Sequence, residues 1–439
     1  MNILVAVGTR PEAIKLVPII LALRESPSYR PIVVSPGQHH RMVAELFELA
    51  GITIDAELWA GNPGGRLNEL VASVMRRFES FCTASFGDNG AEIATADQLR
   101  EGHYPAAVLV HGDTSSAMAT ALASFHLRIP IVHVEAGLRT GGSILTPFPE
   151  ELNRQLVSCM ASFHLAPTSE NQQNLVRENI DIERIFVTGN TGIDALRWAA
   201  SLEVPWTDPR VAAVADSDRR VVVVTAHRRE NWNGGLAGIA AGVSRLALDY
   251  PDVAWIVPMH PNPLVRDELG TPLEGIENVI LTEPMNYAEF ARLLARCDLV
   301  ITDSGGIQEE APSLDKPVLV VRDSTERNEG AVAGTLRLVG TDPQEIEHAG
   351  RGLLDDPEEY RRMAEAINPY GDGHAAARIV AALENLRHGG SAPVPYGPGY
   401  DRQAVLAAAG YDAGLHPHAV PAAARGRSGT APVEEPWRG

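Results

Sequence analysis

The sequence predicts an α/β chain folded as two domains, each a parallel sheet covered by helices. Three observations lead there. Short apolar runs of strand length alternate with amphipathic segments of helix length, the pattern of strands buried between two helical layers. Almost every apolar run is followed by glycine and ionisable side chains, as expected where the loops at the carboxyl edge of a sheet carry a site. The chain has 439 residues, and a polar stretch at 201–220 with Pro205 and Pro209 interrupts the alternation. That length exceeds one ordinary domain.

The elements follow in order. Residues 2–7, Asn-Ile-Leu-Val-Ala-Val, read as the first strand. Residues 11–23 read as a helix, with Pro11 at the first position, where a missing N–H costs nothing. Further strands are expected at 31–35, 107–111, 129–134, 185–187, 221–225, 254–257, 299–302 and 318–321. Helices are expected at 151–160, 236–248, 287–296 and 357–366. Residues 83–103 are polar and weakly periodic, and read as a surface insertion. From His388 on, glycine and proline make up 16 of 52 residues. A non-periodic segment of that composition is expected to be disordered.

Composition narrows the function. The net charge of −19 lacks the electrostatic footprint of a binder of nucleic acid or anionic membranes. Of 37 basic residues only Lys15 and Lys316 are lysine. Cys82, Cys159 and Cys297 are far apart and form no CxxC pair, so reduced thiols in a cytoplasmic protein are expected. Met1-Asn2 runs straight into a strand without a basic leader. No run approaches the ~18 apolar residues of a membrane span. The fourteen histidines show no metal-binding spacing. There is no GxGxxG after the first strand and no Walker A loop.

The post-strand loops hold the candidate residues. Gly8-Thr9-Arg10-Pro11-Glu12 is followed by Lys15. Later loops carry Asp113, Glu135 and, before a helix, Glu150. Carboxylates in different environments let one site run acid and base chemistry. In the second half come His227 and His260, then Asp303-Ser304-Gly305-Gly306 leading into Gln308-Glu309-Glu310. Glycines between a strand and a helix expose backbone N–H groups to an anion, and Arg327 lies one strand on. Arg10, Lys15 and Arg327 are cations suited to a diphosphate.

Taken together, these residues make the chain resemble the non-hydrolysing UDP-N-acetylglucosamine 2-epimerases of bacteria. The motifs that carry the resemblance are Gly8-Thr9-Arg10-Pro11-Glu12-Ala13, His111-Gly112-Asp113-Thr114, His133-Val134-Glu135-Ala136-Gly137-Leu138-Arg139-Thr140, Pro149-Glu150-Glu151 with Asn153-Arg154, Thr188-Gly189-Asn190-Thr191, His227-Arg228-Arg229-Glu230-Asn231, Asp303 through Pro312, Thr325-Glu326-Arg327 and Asn368 through Gly373. They span about residues 1–387 in order. The resemblance implies two Rossmann-like domains of GT-B type, at 1–188 (with a crossing helix at 368–387) and 189–367, and a tail at 388–439. It implies a cytoplasmic homodimer that handles precursors of cell-surface polysaccharide. The implied reaction interconverts UDP-GlcNAc and UDP-ManNAc, by elimination of UDP to a 2-acetamidoglucal and re-addition, with no cofactor and no metal. Carried over by motif, Asp113, Glu135, Glu150 and His227 are catalytic. Arg10, Lys15, Ser304, Gly305, Gly306, Glu310 and Arg327 bind the UDP-sugar.

Departures from the family pattern keep alternatives open. Gln38-His39-His40-Arg41-Met42 replaces the usual Gln-His-Arg-Glu-Met. With His260, the residues Gln38, His39 and Arg41 mark a possible second, activating UDP-GlcNAc site. Ser73 stands where an arginine is expected for that site. Thr325-Glu326-Arg327-Asn328-Glu329-Gly330 also departs from the pattern. A modified substrate such as a UDP-2,3-diacetamido-uronate remains an alternative, as does a GT-B glycosyltransferase.

Overall fold

The structure, a computed structural model, describes residues 1–61, 64–90, 92–325, 327–389, 392–397 and 399–411. They divide into two compact units. The first takes Met1–Ala195 and the described residues from Gly373 on; the second is Leu196–Asp372. The boundary between Ala195 and Leu196 falls inside the helix Thr191–Ala200.

The first unit holds seven parallel strands: β1 (Asn2–Ala6), β2 (Arg30–Ser35), β3 (Ala56–Glu57), β4 (Pro105–His111), β5 (Ile131–Val134), β6 (Phe163–Ala166) and β7 (Ile185–Val187). Their spatial order is β3-β2-β1-β4-β5-β6-β7. Val5 lies opposite Val33 on one side and Leu109 on the other. Such strands are buried on both faces, so their sequences read as unbroken apolar runs. The chain builds outward from β1 in one direction and from β4 in the other. The loops after β1 and β4 therefore part, leaving a crevice at the carboxyl edge.

The second unit repeats the plan with six parallel strands: β8 (Val221–Thr225), β9 (Ala254–Pro258), β10 (Val279–Thr282), β11 (Leu299–Thr302), β12 (Val318–Val320) and β13 (Leu336–Leu338). Their order is β10-β9-β8-β11-β12-β13, so its crevice opens between β8 and β11. Val222, Val224 and Trp255 of the sheet pack with Ile239, Val243 and Leu246 of the helix Gly235–Asp249.

Four strands were not expected: β3, β6, β10 and β13. Each has two to four residues. In β6 a polar residue hides the signal, since His164 is buried and its Nε2 lies 3.0 Å from the Ser158 carbonyl oxygen. The expected insertion is also more structured than its composition suggests. The helix Leu67–Phe86 runs into it, and the Phe86 ring packs edge-on against Phe81 and Tyr104. Thr95 then caps the short helix Ala96–Arg100.

The C-terminal helix Ala375–His388 returns to the first unit, where Glu384 accepts hydrogen bonds from Ser26 and Ser28 at 2.8 and 3.0 Å. The disorder expected from 388 on does not extend to residues 399–411. There the helix Arg402–Ala408 packs on the helix Ser169–Arg177, burying Val405 and Leu406. Glycine and proline dominate around this helix but are absent from it, so averaging composition over the whole tail hid an apolar face. Residues 412–439, most of the expected tail, lie outside the described residues. Among the described residues no helix is long and apolar enough to cross a membrane.

Candidate active site

The crevice of the first unit is a cavity of about 250 Å³ lined by Thr9, Glu12, Lys15, His111, Asp113, Thr114, Glu135 and Arg154, among others. Glu135 follows β5 directly and has φ +60°, a backbone conformation that costs a non-glycine residue ~1–3 kcal/mol. Packing enforces it. Two residues on, Gly137 also has positive φ, and a Cβ there would lie 2.2 Å from the Asn171 carbonyl oxygen. The turn therefore sits tight on the helix Ser169–Arg177 and aims the Glu135 carboxylate into the cavity.

Lys15 reaches Glu135 from the first helix, its Nζ donating to both carboxylate oxygens at 2.6 and 2.7 Å. His111 Nε2 lies 2.9 Å from Oε2, poorly aligned for donation. Burial alone would raise the Glu135 carboxyl, but the Lys15 and His111 charges outweigh it and hold it well below the usual range. Asp113 goes the other way. Burial raises it, and the Arg154 guanidinium, with Nε 2.8 Å from Oδ2, offsets that only in part. One small cavity thus holds two carboxylates with opposed proton affinities.

Glu12 is a third carboxyl here, nearly fully buried. Its Oε2 accepts from the backbone N–H groups of Gly8 and Thr9 at 2.9 and 2.6 Å, and Thr114 donates to its Oε1 at 2.6 Å. It ties the loop after β1 to the loop after β4. Burial raises its proton affinity as well. Beneath Asp113, the His133 ring meets the Gly112 carbonyl oxygen at 2.8 Å, and burial pushes its pKa down to about 3.

Glu150 opens the helix Glu150–Met160 and is half-buried, but it does not line this cavity. Arg154, on the same helix, does. Arg10 sits at the first position of its helix, also outside the lining. Gln38 is drawn in by Ser116, which donates to its Oε1 at 2.9 Å. His39 and Arg41 face outward, and Arg41 pairs with Glu45 four residues along.

The crevice of the second unit is built differently. Asp303, at the end of β11, is fully buried, and its Oδ2 accepts from the backbone N–H groups of His227 and Arg228 and from Asn231 Nδ2. That fixes the loop after β8. The His227 ring stacks on His260 with centroids 5.3 Å apart and planes within 5°. His260 thus belongs with the expected catalytic histidine. Burial, then the neighbouring His227, lowers its pKa.

Ser304 precedes the helix Gly305–Glu310. A Cβ on Gly305 would meet Arg228 Nη2 at 3.1 Å and Arg327 Cζ at 3.2 Å, so two guanidiniums flank the glycine backbone. Gly306 beside it is exposed. Arg327 Nε donates to Glu309 at 2.7 Å, while Glu310 approaches the Gly306 side. Glu326 of the expected motif lies outside the described residues.

Sequence reasoning assigned no role to His111, Arg154, Glu12, Arg228 or Asp303. All five stand inside the recognised motifs, one to four residues from assigned positions, so the signal was present. What it lacked was direction: a motif does not say which of its side chains face inward.

The chain matches a family model described as UDP-N-acetylglucosamine 2-epimerase over residues 21–384. It is 43% identical over 393 residues to the UDP-N-acetylglucosamine 2-epimerase of Escherichia coli (strain K12), which covers 88% of this chain and 99% of that protein. The Bacillus subtilis (strain 168) enzyme of the same name is 39% identical over 383 residues, covering 87% and 95%. Among solved structures, the UDP-GlcNAc 2-epimerase of Neisseria meningitidis bound to UDP-GlcNAc superposes with a TM-score of 0.71 at 38% identity, covering 88% of this chain and all of that one. The chain belongs to the UDP-N-acetylglucosamine 2-epimerase family, and it is an epimerase of the non-hydrolysing bacterial kind.

Proposed function

We propose that the enzyme interconverts UDP-GlcNAc and UDP-ManNAc by eliminating UDP to a 2-acetamidoglucal and adding UDP back, with the hydrogen on the second sugar carbon returned to the opposite face. The observation that carries this reading is the pair of carboxylates with opposed proton affinities in one cavity, Glu135 held ionised and Asp113 held up. The hydrogen on the second sugar carbon is weakly acidic. Removing it needs a positioned base, and returning it to the opposite face needs an acid; a pair kept apart in proton affinity supplies both. Asp113 and Glu135 take these roles, with Glu150 and His227 as further catalytic groups. Arg10, Lys15, Ser304, Gly305, Gly306, Glu310 and Arg327 hold the nucleotide sugar. The paired guanidiniums beside Gly305 support that role, since bidentate cations and open N–H groups stabilise charge on a departing diphosphate. Incubation with UDP-GlcNAc in deuterium oxide tests the reading. UDP-ManNAc carrying deuterium at the second carbon is expected. Epimerisation without solvent deuterium would overturn the mechanism, and release of free sugar would overturn the product.

A further inference from the structure

The family model ends at residue 384, and the E. coli relative is matched over 99% of its own length by 88% of this chain. The described residues 392–397 and 399–411 therefore extend past the family's common body. They pack on the first unit. The Tyr396 backbone N–H donates to the Val187 carbonyl oxygen at 2.9 Å, covering the open edge of β7. The Arg378 guanidinium lies 5.1 Å from the centre of the Tyr396 ring. Tyr400 donates to Gln172 Oε1 at 2.9 Å. Arg177 donates to the Ala408 carbonyl oxygen at 3.0 Å, and Tyr411 to Asn179 Oδ1 at 2.9 Å. Arg402 pairs with Glu183.

The apolar contacts matter most. Val405 and Leu406 enter a cluster with Leu175, Val176, Ile182 and Ile185, and that cluster also contains Ala136. Ala136 follows Glu135 in the chain and is fully buried. The other side of the same turn rests on the helix Ser169–Arg177, where Asn171 leaves no room for a side chain at Gly137 and Asn174 Nδ2 donates to the Gly137 carbonyl oxygen at 3.1 Å. The extension thus clamps the helix on which the strained Glu135 turn is set. A backbone with positive φ at a non-glycine residue persists only while its surroundings hold it.

We propose that residues 392–397 and 399–411 form a positioning strap for Glu135, with Tyr400, Val405 and Leu406 as its working residues. They touch no reacting atom; they act through the helix Ser169–Arg177 and the Ala136-Gly137 turn. The inference rests on the assignment of Glu135 as a catalytic carboxylate.

The test uses Leu406→Asp and Tyr400→Phe in the full chain, beside Glu135→Gln. Each is assayed well below its own melting temperature, and UDP affinity is measured by calorimetry. Leu406→Asp is expected to lower kcat by about ten- to a hundredfold, the effect of misplacing a catalytic group by roughly an ångström, with UDP affinity within about threefold of wild type. Tyr400→Phe, which keeps the ring and loses one hydrogen bond, is expected to lower kcat by about two- to fivefold. If Leu406→Asp lowers the melting temperature but leaves kcat unchanged while Glu135→Gln is inactive, the strap is only structural and the proposal falls. If Glu135→Gln keeps full turnover, the reading of the site falls instead. Should Leu406→Asp not fold, unchanged kcat in Tyr400→Phe counts against the strap.

Discussion

The two crevices occupy the same topological place, at the carboxyl edge where strand order reverses, yet they are chemically opposite. In the first unit, carboxylates face the cavity and cations hold them there: Lys15 on Glu135, Arg154 on Asp113. In the second, the fully buried carboxylate of Asp303 turns inward to bind backbone N–H groups, and Arg228, Arg327 and two histidines stand at the edge. The parallel sheet supplies a crevice in either case. What each crevice can do depends on whether its carboxylates are spent on the scaffold or presented to a ligand.

That contrast can be broken most forcefully in the first unit. Glu135→Gln and Asp113→Asn should each lower turnover by about 10²–10⁴-fold, the range for losing a general acid or base, with UDP affinity by calorimetry little changed. Near-full turnover in either variant would remove the acid–base side of the contrast. In the second unit the pattern should invert. Arg327→Ala is expected to weaken UDP binding by about 1.5–3 kcal/mol, the worth of a hydrogen bond to a charged group. If UDP binds as before, the edge is not an anion site.

Smaller changes sharpen the contrast. Lys15→Arg should lower kcat by about tenfold, because a planar guanidinium does not reproduce the compact ammonium between both Glu135 oxygens. Lys15→Met should also move the acid limb of the pH–rate profile upward. With the ammonium gone, burial is less opposed and Glu135 takes up its proton at a higher pH. An unmoved acid limb would show that Lys15 does not set the charge of Glu135. Lys316→Arg, at a turn before β12, should leave kcat and melting temperature unchanged, within about 0.5 kcal/mol. A loss there as large as that at Lys15 would make lysine scarcity uninformative.

Much of the molecule was legible in the sequence, and the reason differs by element. Strands β1, β4, β8 and β11 were readable because burial on both faces requires an unbroken apolar run. Strands β3 and β13 were not, because two or three residues carry no period. Asp113, Glu135, Ser304 and Gly305 could be picked out because post-strand loops hold few residues of any other kind. The partners His111, Arg154 and Arg228 lay beside them in the same motifs without distinguishing marks.

By itself the sequence determined the fold class, the two-unit plan and the family, since apolar periodicity and motif order are local and survive without coordinates. Tertiary structure alone decided the proton affinities. Glu135 and Asp113 are two carboxylates after neighbouring strands, and nothing in their local sequence separates them. Their difference comes from Lys15, 120 residues from Glu135, whose charge outweighs burial there, whereas Arg154, 41 residues from Asp113, offsets burial only in part; electrostatic interaction depends on distance through space. The same holds for the strap. A helix in a glycine- and proline-rich tail gains its apolar face only when Val405 and Leu406 meet the cluster around Ala136.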